Sequence, residues 1–475
     1  MIPTGDRGVA APQRAGPVQV DLVCAGCGAR PAADDPFPVR CPARRPGDDI
    51  DHVMVRTLDL AALDPRFGDD PDPFVRYRTL FRAYHLARAG GWTDQRYVDL
   101  VRELQEAIAR VDGRPLRVTP FGRADRLSDR LGFAARGGVW VKDETRNPGG
   151  SHKVRHLLGV MLELRVAEAL AGQDPDRPLA IASCGNAALA AAVVARAADR
   201  RLLVFVPRSA DPWVVGRLRD LGAEIRVCPR RAGEAGDPSY LRAQEAIADG
   251  AVPFTCQGPD DGLVIEGGAT LGWEILDALA VAGRTLDRVV VQVGGGAFAS
   301  AIALAMSEAL ALGRLDRLPR LDTVQTEGGW PLARAFERLL DDLDLREGVP
   351  AALETVGTGL AEAARRRSRY MWAWETEPRS IAHGILDDET YDWLAVAGAM
   401  LESGGRPVVV GEATLEAANR LARETTRIDA DHTGTAGLAG LVRLIEDGVV
   451  APTETVAVVF SGVRRPVADP IETHP

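Results

Sequence analysis

Three short stretches of this 475-residue chain combine residue types that could do chemistry. The first is Asn147-Pro148-Gly149-Gly150-Ser151-His152-Lys153. A strand-like run, Gly138 to Lys142, leads into it. Val154 to Ala169 leads out, with Leu157, Leu158, Met161, Leu162 and Leu164 at the spacing of a buried helix face. Lys153 therefore stands at a helix start, where the dipole favours anions over cations. It is either a surface residue of a first turn or an amine with a chemical task. The second stretch is Ser183-Cys184-Gly185-Asn186-Ala187, a polar turn between the strand Leu179–Ala182 and an alanine-rich helix. The third is Gly294-Gly295-Gly296-Ala297, between an apolar strand from Arg288 to Val293 and a helix from Ala297 to Leu312.

The glycine run is an anion cradle: glycines let the backbone approach closely and turn its N–H groups onto a phosphate. A rival reading exists. Gly294, Gly296 and Ala299 fit the dinucleotide fingerprint G-x-G-x-x-A. That fingerprint also wants an acidic residue about 20 positions on, and the next strand here ends later, near Glu327.

The elements that must position these turns alternate. Short apolar runs at 201–207, 222–227, 288–293, 322–326 and 456–460 are separated by helical segments, the pattern of a parallel sheet covered by helices. Ligands of such sheets bind beyond the carboxyl ends of the strands, so the three turns can share one cleft. Upstream, residues 73–111 read as helix in two pieces broken at Gly90-Gly91, and Leu116–Val118 as a short strand. The length suits about two to four domains. A net charge of −10 and a pI near 5.4 argue against nonspecific nucleic-acid or anionic-membrane binding. No apolar run reaches the roughly 20 residues of a membrane span, and the first residues lack the apolar core of a signal peptide. Six cysteines are too sparse for a disulfide scaffold. These features set the expectation of a cytoplasmic enzyme.

Residues 1 to about 20 and the polar tail 466–475 are expected to be irregular. Cys24-Ala25-Gly26-Cys27 has the spacing of a zinc knuckle, and Cys41 begins a second. Arg44 stands where the fourth thiolate would be and cannot ligate. His52 could substitute, but no spacing demands it. The expectation is a degenerate ribbon held by packing, with no metal.

A lysine, a phosphate cradle and a polar turn together suit pyridoxal phosphate, which needs an amine, an anion site and polar groups at its ring. Over about residues 115–465 the sequence resembles the fold-type II pyridoxal-phosphate enzymes: threonine synthase, threonine dehydratase, cysteine synthase and the tryptophan synthase β chain. Four motifs occur in the family's order. The resemblance implies an α/β fold of two domains with open, mainly parallel sheets flanked by helices, and a small N-terminal extension. The extension would be 1–65, the large cofactor domain 66–160 with 266–475, and the smaller mobile domain 161–265.

It implies site residues too. Lys153 would bond the cofactor aldehyde and act as the base. Asn186 would contact the ring hydroxyl, while Ser183, Cys184, Gly185, Asn186 and Ala187 hold the substrate carboxylate. Gly294, Gly295, Gly296 and Ala297 would hold the phosphate, with His152 beside it. Ser461, in Phe460-Ser461-Gly462, would face the pyridine nitrogen. A hydroxyl there does not hold the nitrogen protonated, which suits α-proton removal followed by loss of a side-chain leaving group. His383, in Ser380-Ile381-Ala382-His383-Gly384, could be a second acid or base. Thr433–Gly437 would begin a helix near the pocket, and Glu266, Thr270 and Glu274 would be structural helix positions. The implied protein is a threonine synthase-like lyase or synthase acting on a small amino acid, a homodimer with no nucleic-acid or membrane partner. A non-catalytic cofactor or amino-acid sensor and a dinucleotide-binding oxidoreductase are the alternative readings.

Overall fold

The computed structural model describes residues 18–465, apart from 33, 34, 36, 173–175, 232, 233 and 235. The expectations for 1–17 and 466–475 lie outside the described residues. In chain order the strands are β1 (Val20–Cys24), β2 (Met54–Leu58), β3 (Phe121–Arg123), β4 (Gly138–Asp143), β5 (Leu179–Ala182), β6 (Leu202–Val206), β7 (Glu224–Val227), β8 (Val252–Pro253), β9 (Arg288–Gln292), β10 (Arg320–Thr326), β11 (Pro407–Val410) and β12 (Thr455–Phe460). They form a six-stranded sheet in the order β11-β10-β9-β12-β4-β3, a four-stranded sheet β7-β6-β5-β8, and the pair β1-β2. The two larger sheets are parallel except where β3 meets β4. The resulting α/β architecture is the expected one. Every residue of β9 and β12 is buried, and both read as nearly continuous apolar runs because parallel strands are covered on both faces.

Strand order explains how distant sequence meets. β12 lies between β4 and β9, in register at Val459↔Lys142 and Val458↔Val290. The three strands run the same way, so the lysine turn, the glycine turn and the Ser461 turn all leave one carboxyl edge. The polar turn leaves the same end of β5, in the second sheet.

Two local readings are corrected. Leu116–Val118 is not a strand. The Leu116 N–H donates to the Gln105 side chain at 2.9 Å and the Val118 N–H to the Pro71 carbonyl at 2.8 Å, so both donors are already engaged. The strand falls instead at β3. The 73–111 segment breaks where expected, at Gly90-Gly91, but also around Tyr77–Phe81, giving helices Pro73–Arg76, Arg82–Ala89 and Asp94–Asp112.

The helix Lys153–Ala171 is buried on nearly all sides and packs against the equally buried helix Val264–Val281. Between them lies a cluster of four buried charges. Arg155 reaches Glu144 with Nε at 2.7 Å and Nη2 at 3.0 Å, and Glu274 with Nη1 at 2.6 Å and Nη2 at 3.0 Å. Lys142 Nζ donates to Glu274 at 2.5 Å and to the Thr119 carbonyl at 2.8 Å. The Asn147 amide donates to Glu144 at 2.5 Å. Burial alone would raise the Glu274 carboxyl, but Arg155 and Lys142 outweigh it and hold it below the usual glutamate range. Burial lowers the Lys142 ammonium.

Removing one partner would strand an uncompensated buried charge. Glu274→Ala is expected to destabilise the protein by about 3–5 kcal/mol, read as a lower urea midpoint. Because the folded carboxyl lies below its unfolded value, this contribution is present at neutral pH and lost as pH falls through the lowered value. A wild-type midpoint in Glu274→Ala would show that the cluster does not hold the two helices.

Candidate active site

The four turns meet around a cavity of about 300 Å³. Lys153 lines it, half-buried at the first position of its helix. Ser183, Cys184, Gly185, Asn186 and Ala187 form one wall, and Gly294, Gly295 and Gly296 form another. His152, His383 and Ser461 complete the set. Of the residues singled out in the sequence, Ala297 does not line the cavity; it is buried as the first residue of the helix Ala297–Ala311. A larger hollow, about 980 Å³, is lined by the Asn147–Gly150 turn, Trp213 and Arg465, and holds neither the lysine nor the glycine run. The smaller cavity is the candidate site, because it gathers the lysine, the polar turn and the glycine run.

Gly296 is the N-cap of Ala297–Ala311, with φ +100°, a conformation that costs glycine little. Gly185 is the N-cap of Asn186–Ala197. Neither helix start has a side-chain cap, so the first-turn N–H groups are left for a ligand.

His152 is buried and stacks on Phe298 with ring centroids 4.4 Å apart. Its Nδ1 lies 2.6 Å from Ser461 Oγ, which also accepts the His152 backbone N–H at 3.0 Å. Burial, reinforced by the charge of Lys153, pushes its pKa well below the usual histidine value. The ring is therefore neutral, and its buried Nε2 has no protein partner. Asn186 Oδ1 accepts from Arg465, so its amide is held from the C-terminal side. His383 is exposed at the rim, with Nδ1 3.3 Å from the Ile381 carbonyl. Thr433 stands in the first turn of the helix His432–Glu446, as expected, and its Oγ1 accepts the Gly384 N–H at 3.0 Å. Glu266, Thr270 and Glu274 lie in the helix Val264–Val281, outside the cavity.

Sequence reasoning missed the carboxylates. Asp237 and Asp387 line the cavity. Asp387 Oδ2 packs so closely on Gly294 that a Cβ there would collide with it. Burial pushes the Asp387 carboxyl up to about 6, against the charge of Lys153. Asp392, just behind, is pushed by burial up to about 7, partly offset by the Gly258 N–H. The signal available was the acidic run Asp387-Asp388-Glu389, which ordinarily reads as a solvated surface.

Comparison with known proteins settles the family. The profile of the family described as "Pyridoxal-phosphate dependent enzyme" matches residues 114–462. The chain belongs to that family. Its cofactor is pyridoxal 5'-phosphate, and it is a lyase of the β-elimination or replacement class. The threonine synthase of Methanosarcina acetivorans is 26% identical over 351 residues, covering 72% of this chain and 74% of the relative. The biosynthetic L-threonine dehydratase of Haemophilus influenzae is 30% identical over 192 residues, covering 40% of this chain and 34% of the relative. The crystal structure of a T.th. threonine deaminase shares the fold with a TM-score of 0.54 and 24% identity, over 78% of this chain and 99% of that one. The family assignment sets aside the dinucleotide-binding oxidoreductase reading.

The residues present fit the cofactor: an amine in the cavity, two uncapped helix starts and an unpartnered buried imidazole nitrogen. Two outcomes are expected. Borohydride should fix the cofactor on the peptide carrying Lys153, seen by mass, and Lys153→Ala should give no such adduct. If the glycine turn holds the cofactor phosphate, cofactor affinity should fall as pH rises through about 6, because Asp387 becomes anionic beside that turn. Asp387→Asn should flatten that dependence in equilibrium titrations at pH 5.5 and 8, chosen as roughly half a unit or more either side of the group; an unchanged profile would remove Asp387 from the phosphate's surroundings.

Proposed function

We propose that this enzyme acts on an amino acid whose side-chain oxygen carries an activating group, such as a phosphate or acetyl ester, in the manner of threonine synthase. The observation that carries the reading is the convergence of Lys153, the Ser183–Ala187 turn, the glycine turn and Ser461 on one cavity. Bound pyridoxal phosphate supplies the electron sink that makes the α-proton acidic. Lys153 takes that proton at Nζ. The N–H groups at the start of Asn186–Ala197, with Ser183, hold the substrate carboxylate. Those at the start of Ala297–Ala311 hold the cofactor phosphate. His152, neutral and locked by Phe298 and Ser461, fixes the position of the Ser461 hydroxyl without adding charge to the pocket. His383, at the rim, gives a proton to the departing group. Ser461 presents a hydroxyl, too weak an acid to form an ion pair with the ring nitrogen.

In the same reading, 161–265, which contains the four-stranded sheet, is the smaller domain. It carries the Ser183–Ala187 turn toward a fixed lysine. The residues 66–160 and 266–475 form the larger domain, and 1–65 the extension. The protein is taken as a cytoplasmic homodimer, consistent with its free cysteines. Equilibrium sedimentation as a monomer would remove the dimer.

The test is a screen of O-phospho- and O-acetyl-amino acids, with products identified by mass. Lys153→Ala should lower turnover by about 10²–10⁴-fold, the range for a positioned base. Asn186→Ala should slow turnover while retaining cofactor, because the phosphate loop binds independently. Ser461→Asp should slow product formation relative to α-proton exchange. Near-normal turnover in Lys153→Ala would refute the assignment of the base, and unaltered rates in Ser461→Asp would refute that of the ring contact. Cofactor binding with no product from any substrate would favour a sensor.

A further inference from the structure

A cluster of potential metal ligands gathers in the N-terminal extension. Cys24 ends β1, Cys27 follows in the turn, Cys41 lies in the connection, and His52 sits just ahead of β2. The three Sγ atoms and one His52 ring nitrogen all lie within 4.8 Å of one another. Cys24 Sγ is 3.4 Å from His52 Nδ1, and Cys27 Sγ is 3.6 Å from Cys41 Sγ. A tetrahedral zinc ion, with Zn–S near 2.3 Å and Zn–N near 2.0 Å, sets edges of about 3.8 Å between sulfurs and about 3.5 Å between sulfur and nitrogen. The two observed edges match within a few tenths of an ångström. The cysteines are free thiols, and a Cys27–Cys41 separation of 3.6 Å is far from a disulfide bond of about 2.05 Å.

An independent observation concerns the far side of the histidine. His52 Nε2 lies 3.1 Å from Asp48 Oδ2, and that carboxylate in turn accepts the Arg45 N–H at 2.8 Å. A carboxylate on one imidazole nitrogen fixes the proton there and leaves the other lone pair to a metal. Here the freed nitrogen is Nδ1, the one that faces Cys24. Gly26 allows the knuckle to close: a Cβ there would collide with the Asp51 carbonyl, next to His52. Cys41 and His52 border an open hollow, which gives an ion a way in.

The expectation of no metal rested on Arg44 standing where the fourth thiolate would be. Arg44 turns away and bonds the Pro259 carbonyl and the Asp260 carboxylate, both at 3.0 Å. We propose that Cys24, Cys27, Cys41 and His52, through Nδ1, bind one Zn²⁺ as a closed structural site. Three soft thiolates and an imidazole select zinc among the hard and soft divalent ions, and four protein ligands leave no position for substrate. The site clamps a weak element. β1 and β2 form an isolated two-stranded sheet over a small core of Leu22, Val39, Met54 and Leu263. Such a pair is marginal without a staple. Leu263 immediately precedes the helix Val264–Val281, and Thr255, Cys256 and Gln257 upstream of it line the cofactor cavity. The metal therefore braces one wall of the active site from outside.

The test uses the full chain purified with its cofactor and without added metal. Elemental analysis should give about one zinc per chain. Zinc should fall at least about tenfold in Cys27→Ser and in His52→Ala, while the yellow cofactor remains bound. Arg44→Ala should keep its zinc, because Arg44 is not a ligand. Should a variant fail to fold, wild-type protein exchanged with Co²⁺ gives the answer, since tetrahedral thiolate ligation produces an intense sulfur-to-cobalt absorption. Metal-free protein with three reactive thiols in the extension, or a Cys27–Cys41 disulfide found by mass, would overturn the proposal. Zinc retained in His52→Ala would overturn the ligand set.

Discussion

Burying Lys142, Glu144, Arg155 and Glu274 together takes four charges out of water, a cost of several kcal/mol for each ion that only near-complete pairing offsets. The pairing is complete in the sense that matters. Two cations face two anions, and the donors of Arg155 are spread over Glu144, Glu274, Thr119 and Thr270. The position of Arg155, two residues past Lys153, makes this a constraint on the active site. Asn147, at the head of the lysine turn, hangs from the same Glu144. The turn is thus tied at both ends to one carboxylate, and the helix behind it to Glu274. A cluster of apolar residues could fill the same volume, but it would not fix the rotation of the helix start, on which the direction of the lysine depends.

The extension is tied in by the same kind of contact. Arg56 on β2 pairs with Glu266 and Glu308 on two different helices, with both partners buried. Arg40 and Arg44 share Asp260, and Asp51 pairs with Arg367. Its strands are too short and too few to have a core of their own. Charge pairs therefore hold it onto the helices, and several of those pairs fall on the helix Val264–Val281 and the loop before it. That helix also carries Glu274.

Local chemistry was legible in the sequence and long-range placement was not. The lysine, polar and glycine turns each declare themselves within about ten residues, because a strand, a turn of small residues and a helix start are consecutive. Parallel topology followed from the alternation of runs such as Val289–Val291 with helices. Leu116–Val118 misled because its apolar character is spent on packing while its N–H groups are engaged by Gln105 and Pro71. The part played by Asp387 stayed hidden because only the packing of its loop against Gly294 separates it from a solvated acidic run. The nearness of His52 to Cys24 was hidden for a similar reason. It is set by the β1-β2 register, Cys24↔Met54, which brings a residue 28 positions away back to the knuckle.

The cavity's charge pattern then constrains how an anionic cofactor can be held. Its described lining includes no arginine, and its histidines are one buried, neutral ring and one at the rim. Lys153 is the lining's lysine, and in the proposed reading it bonds the aldehyde end of the cofactor and is not the phosphate's partner. Asp237 and Asp387 add negative potential. In that reading the phosphate is held by neutral donors: the backbone N–H groups of the glycine turn and the positive end of the helix Ala297–Ala311. In the proposed reading a glycine turn, in place of an arginine fork, lets a cavity lined by Asp237 and Asp387 hold an anion: fixed N–H dipoles bind the phosphate without placing a second cation next to Lys153.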